Sequence, residues 1–386
     1  RANARRAHRR GVFMSDKGLI VLAAGGTGGH VFPAEALARE LQGRGYRLAL
    51  LTDKRGDVYG GALGQMETHQ VRAGGIAGKG PIAKLKSLAK LALGTLQARG
   101  LLKRLAPKAV VGFGGYASIP TMMAASLAGF PAVLHEQNAI LGRANRLLAA
   151  RVAAIAVSFP ESRGIPAIAE AKVRHTGMPV RDAILKLRGT PYPSFTDNRP
   201  LEVMVLGGSQ GARILSDVIP DAVAKLSDKL KARLHLTQQC RPEDLDRVKA
   251  RYAELGINAE LASFFDDVPE RLASAHLVIS RSGASTVAEV LAVGRPAILV
   301  PYRYAIDDHQ SLNAHAVDEV GAGWLIPEVD FTPESLAARM ESMFGMPTIL
   351  EKAAVAADKT GRPDAAKRLA DLVEAVLKTE NERQAA

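Results

Sequence analysis

Residues 19–46 read LIVLAAGGTGGHVFPAEALARELQGRGY, and this stretch decides the fold. Its continuous apolar run, residues 19–24, is typical of a strand buried on both faces of a parallel sheet. Residues 25–29 contain four glycines, which let backbone N–H groups approach a ligand closely. Apolar residues at helical spacing follow Pro33, and a proline is tolerated in a first helical turn. The stretch therefore predicts a strand, a glycine loop and a helix whose N-terminus attracts anions.

The glycine loop does not match the dinucleotide-binding fingerprint. It reads GGTGGH, and Val31 stands where the pattern GxGxxG requires its last glycine. The adjacent His30 places a titratable ring at the mouth of the loop, where it could take a proton from a substrate hydroxyl. The alternative is an ordinary histidine at a helix start that bonds water. The loop by itself favours this alternative.

Length and composition indicate two domains. The chain has 386 residues, 47% of them hydrophobic, which is enough for two cores of ordinary size. Its single cysteine, Cys240, allows no internal disulfide and favours a reducing compartment. No run of about 18 or more apolar residues occurs, so we expect neither a transmembrane helix nor a signal peptide.

The first 13 residues, RANARRAHRRGVF, are strongly basic and resemble a tag or an upstream extension, with Met14 as the natural start. The chain carries 51 Lys and Arg against 39 Asp and Glu, and five of the arginines lie in this head. Without those five the net charge falls from +12 to +7, which predicts an anionic partner. Nucleic acid is not expected, because only 5% of the residues are aromatic and the lysines are scattered.

Strand and helix patterns alternate along the chain, which predicts doubly wound parallel sheets. In the first half, residues 14–177, further strands are expected at 46–52, 68–73, 109–113, 132–136 and 153–159. The pattern of strand, glycine loop and helix returns at 201–219. In this second half, strands are expected at 233–237, 275–280 and 296–301, and helices at 284–293 and 310–320.

The predicted fold class is therefore α/β, with two Rossmann-like domains facing across a cleft and a glycine loop on each wall. Residues 178–200 contain four prolines in a polar setting and are predicted to be a linker between the domains. The second domain is expected to span residues 201–360. Residues 361–386 are expected to form a helix that packs back on the first domain.

The second half carries a sharper ligand-binding pattern. Residues 276–302 read HLVISRSGASTVAEVLAVGRPAILVPY, in which a strand ends at Ser280 and small residues lead into a helix. The start of that helix offers N–H groups and hydroxyls to a phosphate. Glu289 could accept two hydrogen bonds from a ribose diol, or could interact only with the helix dipole. Ser282 and Thr286 could likewise be ordinary helix caps.

Seven motifs, spanning residues 24–310, occur in an order that resembles the MurG family of glycosyltransferases. They are AGGTGGHVFPA, GGYASIP, HEQN, TGMPVR, GGSQGA, SRSGASTVAE and DDHQ. The resemblance implies a GT-B fold, with the donor UDP-N-acetylglucosamine held mostly by the second domain and the acceptor by the first. It implies inverting transfer of N-acetylglucosamine to the 4-hydroxyl of the muramoyl sugar of undecaprenyl-pyrophosphoryl-MurNAc-pentapeptide (lipid I), giving lipid II for peptidoglycan. It implies no metal and no other cofactor.

The resemblance also assigns site residues, and it makes His30 the candidate catalytic base, which reverses the expectation from the loop alone. Donor contacts are implied at Thr27, Gly28, Gly29, Asn138, Arg181, Ser209, Phe265, Ala284, Ser285, Thr286, Val287, Ala288, Glu289 and Gln310. Acceptor contacts are implied at Gly114, Gly115, Tyr116 and Ser118. We expect Ser209 to hold the diphosphate, Glu289 the ribose and the Phe265 backbone the uracil. Whether His309 or Gln310 contacts the sugar stays open.

Rival interpretations exist for single features and for the whole chain. Asp244 and Asp246 form a DxD, the metal motif of another glycosyltransferase fold, but their place at a helix start favours a solvated first turn. His135 and Glu136 at a strand end could do acid–base work, or could have a structural or donor-positioning role. A UDP-N-acetylglucosamine epimerase or a glycolipid glycosyltransferase on the same fold is the alternative function. A nicotinamide oxidoreductase is disfavoured by the failed fingerprint.

Residues 82–97, IAKLKSLAKLALGTLQ, predict a helix that could contact the membrane in which a lipid acceptor lies. One face carries Ile82, Leu85, Leu88, Ala89, Ala92, Leu93 and Leu96, and the face is flanked by Lys84, Lys86 and Lys90. The pattern alone favours a core-facing helix with solvated lysines, whereas the lipid substrate favours membrane contact. We expect a peripheral protein of the cytoplasmic face of the bacterial membrane, partnered by lipid I, anionic phospholipid and other cell-wall synthesis proteins.

Overall fold

A computed structural model describes residues 16–25, 28–53, 61–64, 66–74, 81–196, 199–208 and 211–385. The first half forms a parallel sheet with strands β1 Leu19–Ala23, β2 Arg47–Thr52, β3 Glu67–Gln70, β4 Ala109–Gly112, β5 Ala132–Glu136, β6 Ala154–Val157 and β7 Val173–His175. Their order is β3-β2-β1-β4-β5-β6-β7. The chain therefore begins in the middle of the sheet and winds outward in both directions, as a doubly wound fold requires.

The second half repeats this architecture. Its strands are β8 Leu201–Leu206, β9 Leu234–Gln239, β10 Ala259–Ala262, β11 Leu277–Ser280, β12 Ala297–Leu299 and β13 Gly323–Leu325. The order β10-β9-β8-β11-β12-β13 again starts at the centre, and each pairing is parallel. The predicted pair of Rossmann-like sheets is confirmed.

Helices cover both faces of each sheet. Those of the first half are α1 Gly28–Gly43, α2 Gly61–Gly64, α3 Pro81–Leu105, α4 Gly115–Leu127 and α5 Arg143–Leu148, followed by α6 Asp182–Leu185. Those of the second half are α7 Arg213–Ala224, α8 Asp228–Lys231, α9 Leu245–Glu254, α10 Val268–Ser274, α11 Ala284–Val293, α12 His309–Glu319, α13 Pro333–Gly345, α14 Thr348–Thr360 and α15 Ala365–Ala385.

The central strand β1 shows why the apolar run at 19–24 forms a buried strand. Its side chains alternate between the two faces: Leu19 and Val21 pack into one core, and Ile20 and Leu22 into the other. Each of the four is less than 10% exposed. A strand covered on both faces gains from apolar residues at successive positions, which accounts for the run.

Two local differences from the sequence prediction have clear causes. The edge strands β7, β10 and β13 were not predicted, because each has only three or four residues and most of these are only partly buried. Helix α1 begins at Gly28, so Pro33 lies inside it rather than at its first turn. Gly29 and His30 therefore belong to the first helical turn. Pro33 lacks the N–H that would bond the carbonyl of Gly29, four residues earlier.

The segment predicted as a linker, residues 178–200, packs against the second half. Val180 and Ile184 are buried in the same core as residues of β11 and α11. The C-terminal helix α15 returns to the first half, where Leu369 and Val373 join the core beside β1. The chain thus crosses between the halves twice, and both crossings are fixed by apolar packing.

Helix α3 buries a face different from the stripe marked in the sequence. Ser87, Leu91 and Ala98 face the core, and a Cβ at Gly94 would lie 1.9 Å from the backbone oxygen of Arg72. Only a residue without a side chain fits there, so small residues set the close approach of this helix.

The marked stripe lies on the solvent side of α3. Leu88, Leu93 and Leu96 are 52%, 50% and 65% exposed, and Lys86 and Lys90 are exposed beside them. The side chains of residues 81–85, including Lys84, lie outside the described part of the chain. Of the helices described, none has the length and apolar character needed to cross a bilayer.

Candidate active site

Loops that follow strands of both sheets meet at one place, and Asn313 on α12 joins them. The fully buried Asn313 accepts a hydrogen bond from the Ala139 N–H through Oδ1 at 2.8 Å. Its Nδ2 donates to Asn138 Oδ1 at 3.1 Å and to the carbonyl of Ser282 at 3.0 Å. Residues after β5 and β11 therefore share a hydrogen-bonded centre at the carboxyl ends of the sheets, where α/β folds bind ligands.

His30 lies in the first turn of α1 at this centre and is partly buried. Its Nδ1 is 3.2 Å from Oε1 of Gln137. Its Nε2 lies beside Gly115, where an added Cβ would come within 3.3 Å of that nitrogen. Gly115 has a φ of +70°, a conformation that glycine adopts without strain. The second glycine of the GG dipeptide after β4 thus lets the backbone lie close to the Nε2 edge of the imidazole.

His135 and Gln137 form a buried layer behind His30. The side chain of His135 is fully buried, and burial lowers the pKa of its imidazole from 6.5 to about 4. Gln137 is 3% exposed and bonds both histidines through its amide. The sequence made His135 a candidate for acid–base work. It did not mark Gln137, because a glutamine by itself indicates no particular catalytic or binding role.

Glu136 organises the loop that carries Asn138. Its Oε1 accepts from the Asn138 N–H at 3.0 Å, and its Oε2 accepts from Gly142 N–H and Asn145 Nδ2, both at 2.8 Å. With only 2% exposure and both oxygens occupied, the carboxylate is used to hold the loop. Of the two roles considered for Glu136, positioning fits these contacts better than proton transfer.

Arg181 and Glu289, both predicted donor contacts, bond one another. Arg181 Nε donates to Oε1 at 2.7 Å, and Nη2 donates to Oε2 at 2.8 Å. The guanidinium also lies over the ring of Phe32, 5.1 Å from its centroid. Glu289 therefore interacts with a specific arginine, not only with the dipole of its own helix.

The start of α11 lacks the side-chain caps considered for it. The N-cap is Gly283, which makes no side-chain hydrogen bond, and Thr286 lies inside the helix. The Ser282 hydroxyl donates instead to the carbonyl of Gln310 at 2.8 Å. The Ser285 hydroxyl is buried and has no hydrogen-bond partner among the described residues. The cap hypothesis is therefore wrong for both Ser282 and Thr286, and the helix N–H groups remain available to an anion.

The two candidates for a sugar contact, His309 and Gln310, both make hydrogen bonds to nearby backbone groups. Gln310 Oε1 accepts from the Tyr302 N–H at 2.9 Å, and His309 Nδ1 lies 2.8 Å from the carbonyl of Ile306. Each side chain is partly buried. Gln310 is the one tied to Ser282, and through it to Asn313, by hydrogen bonds.

Asp307 forms an ion-pair cluster with two arginines of the first half. Arg143 Nη2 donates to Oδ1 at 2.7 Å, and Arg146 Nη2 donates to Oδ2. Asp307 adopts φ +55° and Asp308 φ +51°, an uncommon backbone for residues other than glycine. These arginine contacts bring the start of α12 to α5, across the cleft.

The remaining predicted residues fall into four groups. On the acceptor side, Ser118 is fully buried and donates to the carbonyl of Gly115 at 3.1 Å, while Tyr116 is partly buried. The Phe265 ring is covered by the guanidinium of Arg271, 4.5 Å from the ring centroid. Thr27 and Ser209 lie outside the described residues. The other predicted donor positions, which lie in the first turns of α1 and α11, are Gly28, Gly29, Ala284, Val287 and Ala288.

Comparison with known proteins connects this site to a family. The model of the glycosyltransferase family 28 N-terminal domain matches residues 20–157, and that of its C-terminal domain matches residues 202–369. A protein of Paramagnetospirillum magneticum is 59% identical over 367 residues, covering 95% of this chain and 99% of its own. Its name is UDP-N-acetylglucosamine--N-acetylmuramyl-(pentapeptide) pyrophosphoryl-undecaprenol N-acetylglucosamine transferase. The chain belongs to the MurG family of glycosyltransferases.

Similarity to other proteins supports the same family assignment. A protein of the same name from Rhodospirillum rubrum is 57% identical over 356 residues, 92% of this chain and 91% of its own. The crystal structure of Acinetobacter baumannii MurG superposes with a TM-score of 0.75 at 28% identity, covering 92% of this chain and 99% of that one. A UDP-GlcNAc 2-epimerase from Neisseria meningitidis, at 14% identity and a TM-score of 0.64, shares the fold alone.

The first aspartate of the DxD considered as a metal motif bonds arginines instead. This residue, Asp244, accepts hydrogen bonds from Arg241 Nε at 2.7 Å and from Arg247 Nη2 at 3.2 Å. These bonds lower the pKa of the Asp244 carboxyl below its usual range. Within the described part of the chain, no three His, Cys, Asp or Glu side chains are grouped closely enough to hold a metal ion.

Proposed function

We propose that the chain transfers N-acetylglucosamine from UDP-N-acetylglucosamine to the 4-hydroxyl of the muramoyl sugar of lipid I, giving lipid II for peptidoglycan. The observation that carries this proposal is 59% identity, over 95% of the chain, to a transferase named for that reaction. The cleft adds a histidine, His30, that is able to take the proton released when a hydroxyl attacks the donor sugar.

In the proposed reaction, His30 is the general base. The acceptor's 4-oxygen bonds to the anomeric carbon of the donor sugar while the bond from that carbon to the diphosphate oxygen breaks. The electron pair of the broken bond leaves with UDP, and the hydroxyl proton passes to His30 Nε2. A single displacement inverts the anomeric carbon, so the α-linked donor gives a β-linked product. Gly115 lies beside the Nε2 edge and places no side chain against it.

The donor binds mainly to the second half in this proposal. The uncapped start of α11 and the buried Ser285 hydroxyl are suited to diphosphate oxygens, which are strong hydrogen-bond acceptors. Glu289 accepts hydrogen bonds from the ribose diol. Arg181 then exchanges one of its two bonds to Glu289 for a diphosphate oxygen, because guanidinium groups bind phosphate and carboxylate with the same fork of donors.

The acceptor carries a lipid chain, so the protein docks peripherally at the cytoplasmic face of the membrane. The solvent-facing leucines of α3, Leu88, Leu93 and Leu96, enter the acyl boundary. Lys86 and Lys90 lie beside them and contact anionic phospholipid headgroups. Lipid I and anionic phospholipid are the partners on this surface, and other cell-wall synthesis proteins are partners at the same membrane.

The test is incubation of the purified chain with UDP-N-acetylglucosamine and a lipid I analogue. The proposal requires formation of the β-linked disaccharide product together with UDP, and both must depend on the acceptor. If the donor is instead converted to its 2-epimer without an acceptor, the chain is an epimerase. If neither UDP nor an epimer forms while the protein is folded and binds UDP, the proposed transfer is wrong.

A further inference from the structure

A chain of hydrogen bonds runs from the backbone of Gly177 to His30. His135 Nε2 lies 3.3 Å from the carbonyl oxygen of Gly177. His135 Nδ1 lies 3.1 Å from Nε2 of Gln137, and Gln137 Oε1 lies 3.2 Å from His30 Nδ1. Gln137 thus stands between the buried histidine and the candidate base, with its amide bonded at both ends.

The orientation of the Gln137 amide is fixed by its neighbours. Its nitrogen faces the carbonyl oxygen of Phe113 at 2.9 Å and that of His135 at 3.2 Å. If the amide were flipped, its oxygen would face these two carbonyl oxygens. None of the three oxygens carries a hydrogen, so no hydrogen bond could form there. At 3% exposure the side chain cannot turn to water instead. The amide oxygen therefore faces His30.

This orientation determines the proton positions on both imidazoles. The Gly177 carbonyl can only accept, so His135 carries its hydrogen on Nε2 and accepts at Nδ1 from Gln137. Burial keeps His135 neutral, since its pKa is about 4. The amide oxygen of Gln137 can only accept, so His30 Nδ1 must donate to it. In the neutral ring, the lone pair then lies on Nε2, beside Gly115.

We propose that Gln137 is a positioning residue that holds His30 in the tautomer with hydrogen on Nδ1 and the basic lone pair on Nε2. This inference rests on the proposed function, in which His30 Nε2 takes the acceptor's proton. Gln137 fills the place that a carboxylate fills behind many catalytic histidines, but it fixes the tautomer without adding charge. His135 in turn fixes Gln137.

The experiment combines kinetics with ¹⁵N NMR of the His30 ring in the full-length protein. In the wild type, Nδ1 should show the shift of a protonated nitrogen and Nε2 that of an unprotonated one. Gln137→Leu should remove this preference and lower kcat by ~10- to 10²-fold, the usual size of a lost orienting partner, with the KM for the donor within about twofold. Gln137→Glu should restore little of kcat, because its second oxygen would face the carbonyl oxygens of Phe113 and His135, to which the amide nitrogen donates in the wild type.

Asn145→Leu is the matched control, because Asn145 is a nearby buried amide, on α5, that bonds Glu136 and the His135 backbone but not His30. It should lower stability without changing the His30 tautomer. A wild-type ring protonated on Nε2, or a Gln137→Leu variant with unchanged tautomer and kcat, overturns the inference. Because the NMR measurement needs no turnover, it still decides the tautomer if the wild type transfers no sugar and the proposed function fails.

Discussion

Arg181 binds both carboxylate oxygens of Glu289, at 2.7 and 2.8 Å, and the two side chains are 31% and 12% exposed. Arg181 comes from the segment between the halves, and Glu289 lies in α11 of the second half. A bidentate pair of this kind holds both groups in one geometry, and removal of either partner leaves the other charge partly buried and uncompensated. Arg181 thus orients Glu289 before the donor arrives.

We expect Glu289→Ala to raise the KM for UDP-N-acetylglucosamine by ~10- to 100-fold, with a smaller effect on kcat. Loss of hydrogen bonds to a charged group costs about 1.5–3 kcal/mol, and a ribose contact present in both ground and transition states acts mainly on KM. Steady-state kinetics with varied donor measures this. Arg181→Lys keeps the positive charge but cannot make the two parallel hydrogen bonds to Glu289. Its donor KM should lie between those of the wild type and Glu289→Ala. A Glu289→Ala variant with the wild-type donor KM contradicts the ribose assignment.

Stability should fall on acidification because of His135. Its pKa is lowered to about 4 in the folded protein, whereas the unfolded chain binds a proton near 6.5. Below pH 6.5 the unfolded state therefore binds more protons, and the contribution of neutral His135 is lost as the pH falls toward 4. Between pH 7 and pH 5 this amounts to about 2 kcal/mol.

Denaturant titrations at the two pH values measure this effect by comparing wild type with His135→Asn. The other histidines are common to both proteins, so their contributions cancel in the difference. The variant should lose less free energy of unfolding than the wild type on going from pH 7 to pH 5. Equal losses in the two proteins would show that His135 does not resist protonation in the folded state.

Two contacts across the cleft should differ in their contribution to stability. Asp307→Ala removes ion pairs to Arg143 and Arg146, whose side chains are 58% and 37% exposed, and should cost about 0–1 kcal/mol and less at high salt. Asn313→Leu leaves the buried N–H of Ala139 and the buried carbonyl of Ser282 without a partner. It should therefore lower the free energy of unfolding by more, about 1–3 kcal/mol for each of these two groups. Urea denaturation at low and high salt compares them. A larger cost for Asp307→Ala would reverse this order.

The sequence predicted those features that show as a regular spacing of apolar residues or as a continuous apolar run. The buried run at 19–24 and the repeated pattern at 201–219 were sufficient to predict both sheets, because a strand covered on both faces needs apolar residues at each position. Helix α11 and strand β5 were predicted with their observed bounds. The short edge strands β7, β10 and β13 could not be predicted, since each has three or four residues and takes its place in the sheet by pairing with one neighbour.

Features that depend on contacts between residues distant in sequence could not be predicted. Helix α3 has apolar residues on two faces, and a close approach of Gly94 to the Arg72 backbone selects which one is buried. The hydroxyl of Ser282 bonds Gln310, 28 residues away, so it is not a cap. Gln137 gains its place between two histidines only when β4, β5 and α1 assemble.

The solvent-facing leucines of α3 should control membrane binding. Changing Leu88, Leu93 and Leu96 together to Gln removes the apolar side chains that insert into the acyl boundary, so binding to anionic vesicles should fall by ~10-fold or more. Activity on a short-chain, water-soluble acceptor should be retained. Vesicle cosedimentation and the soluble assay measure the two properties.

A matched control changes three exposed apolar residues of the second half, Val329, Met346 and Val355, to Gln. These side chains are 68%, 56% and 55% exposed, so the loss of exposed apolar surface is similar. The control should bind vesicles as the wild type does. Equal loss of binding in both triple variants, or unchanged binding in the α3 variant, would place the docking surface elsewhere.

The central claim is that His30 takes the proton from the acceptor hydroxyl, and His30→Ala measured in the lipid I assay tests it most directly. A lost general base lowers turnover by ~10²- to 10⁴-fold, while the Kd for UDP-N-acetylglucosamine, measured separately by titration, should stay within about twofold of the wild-type value. A His30→Ala enzyme that forms the disaccharide product at the wild-type rate would contradict the account.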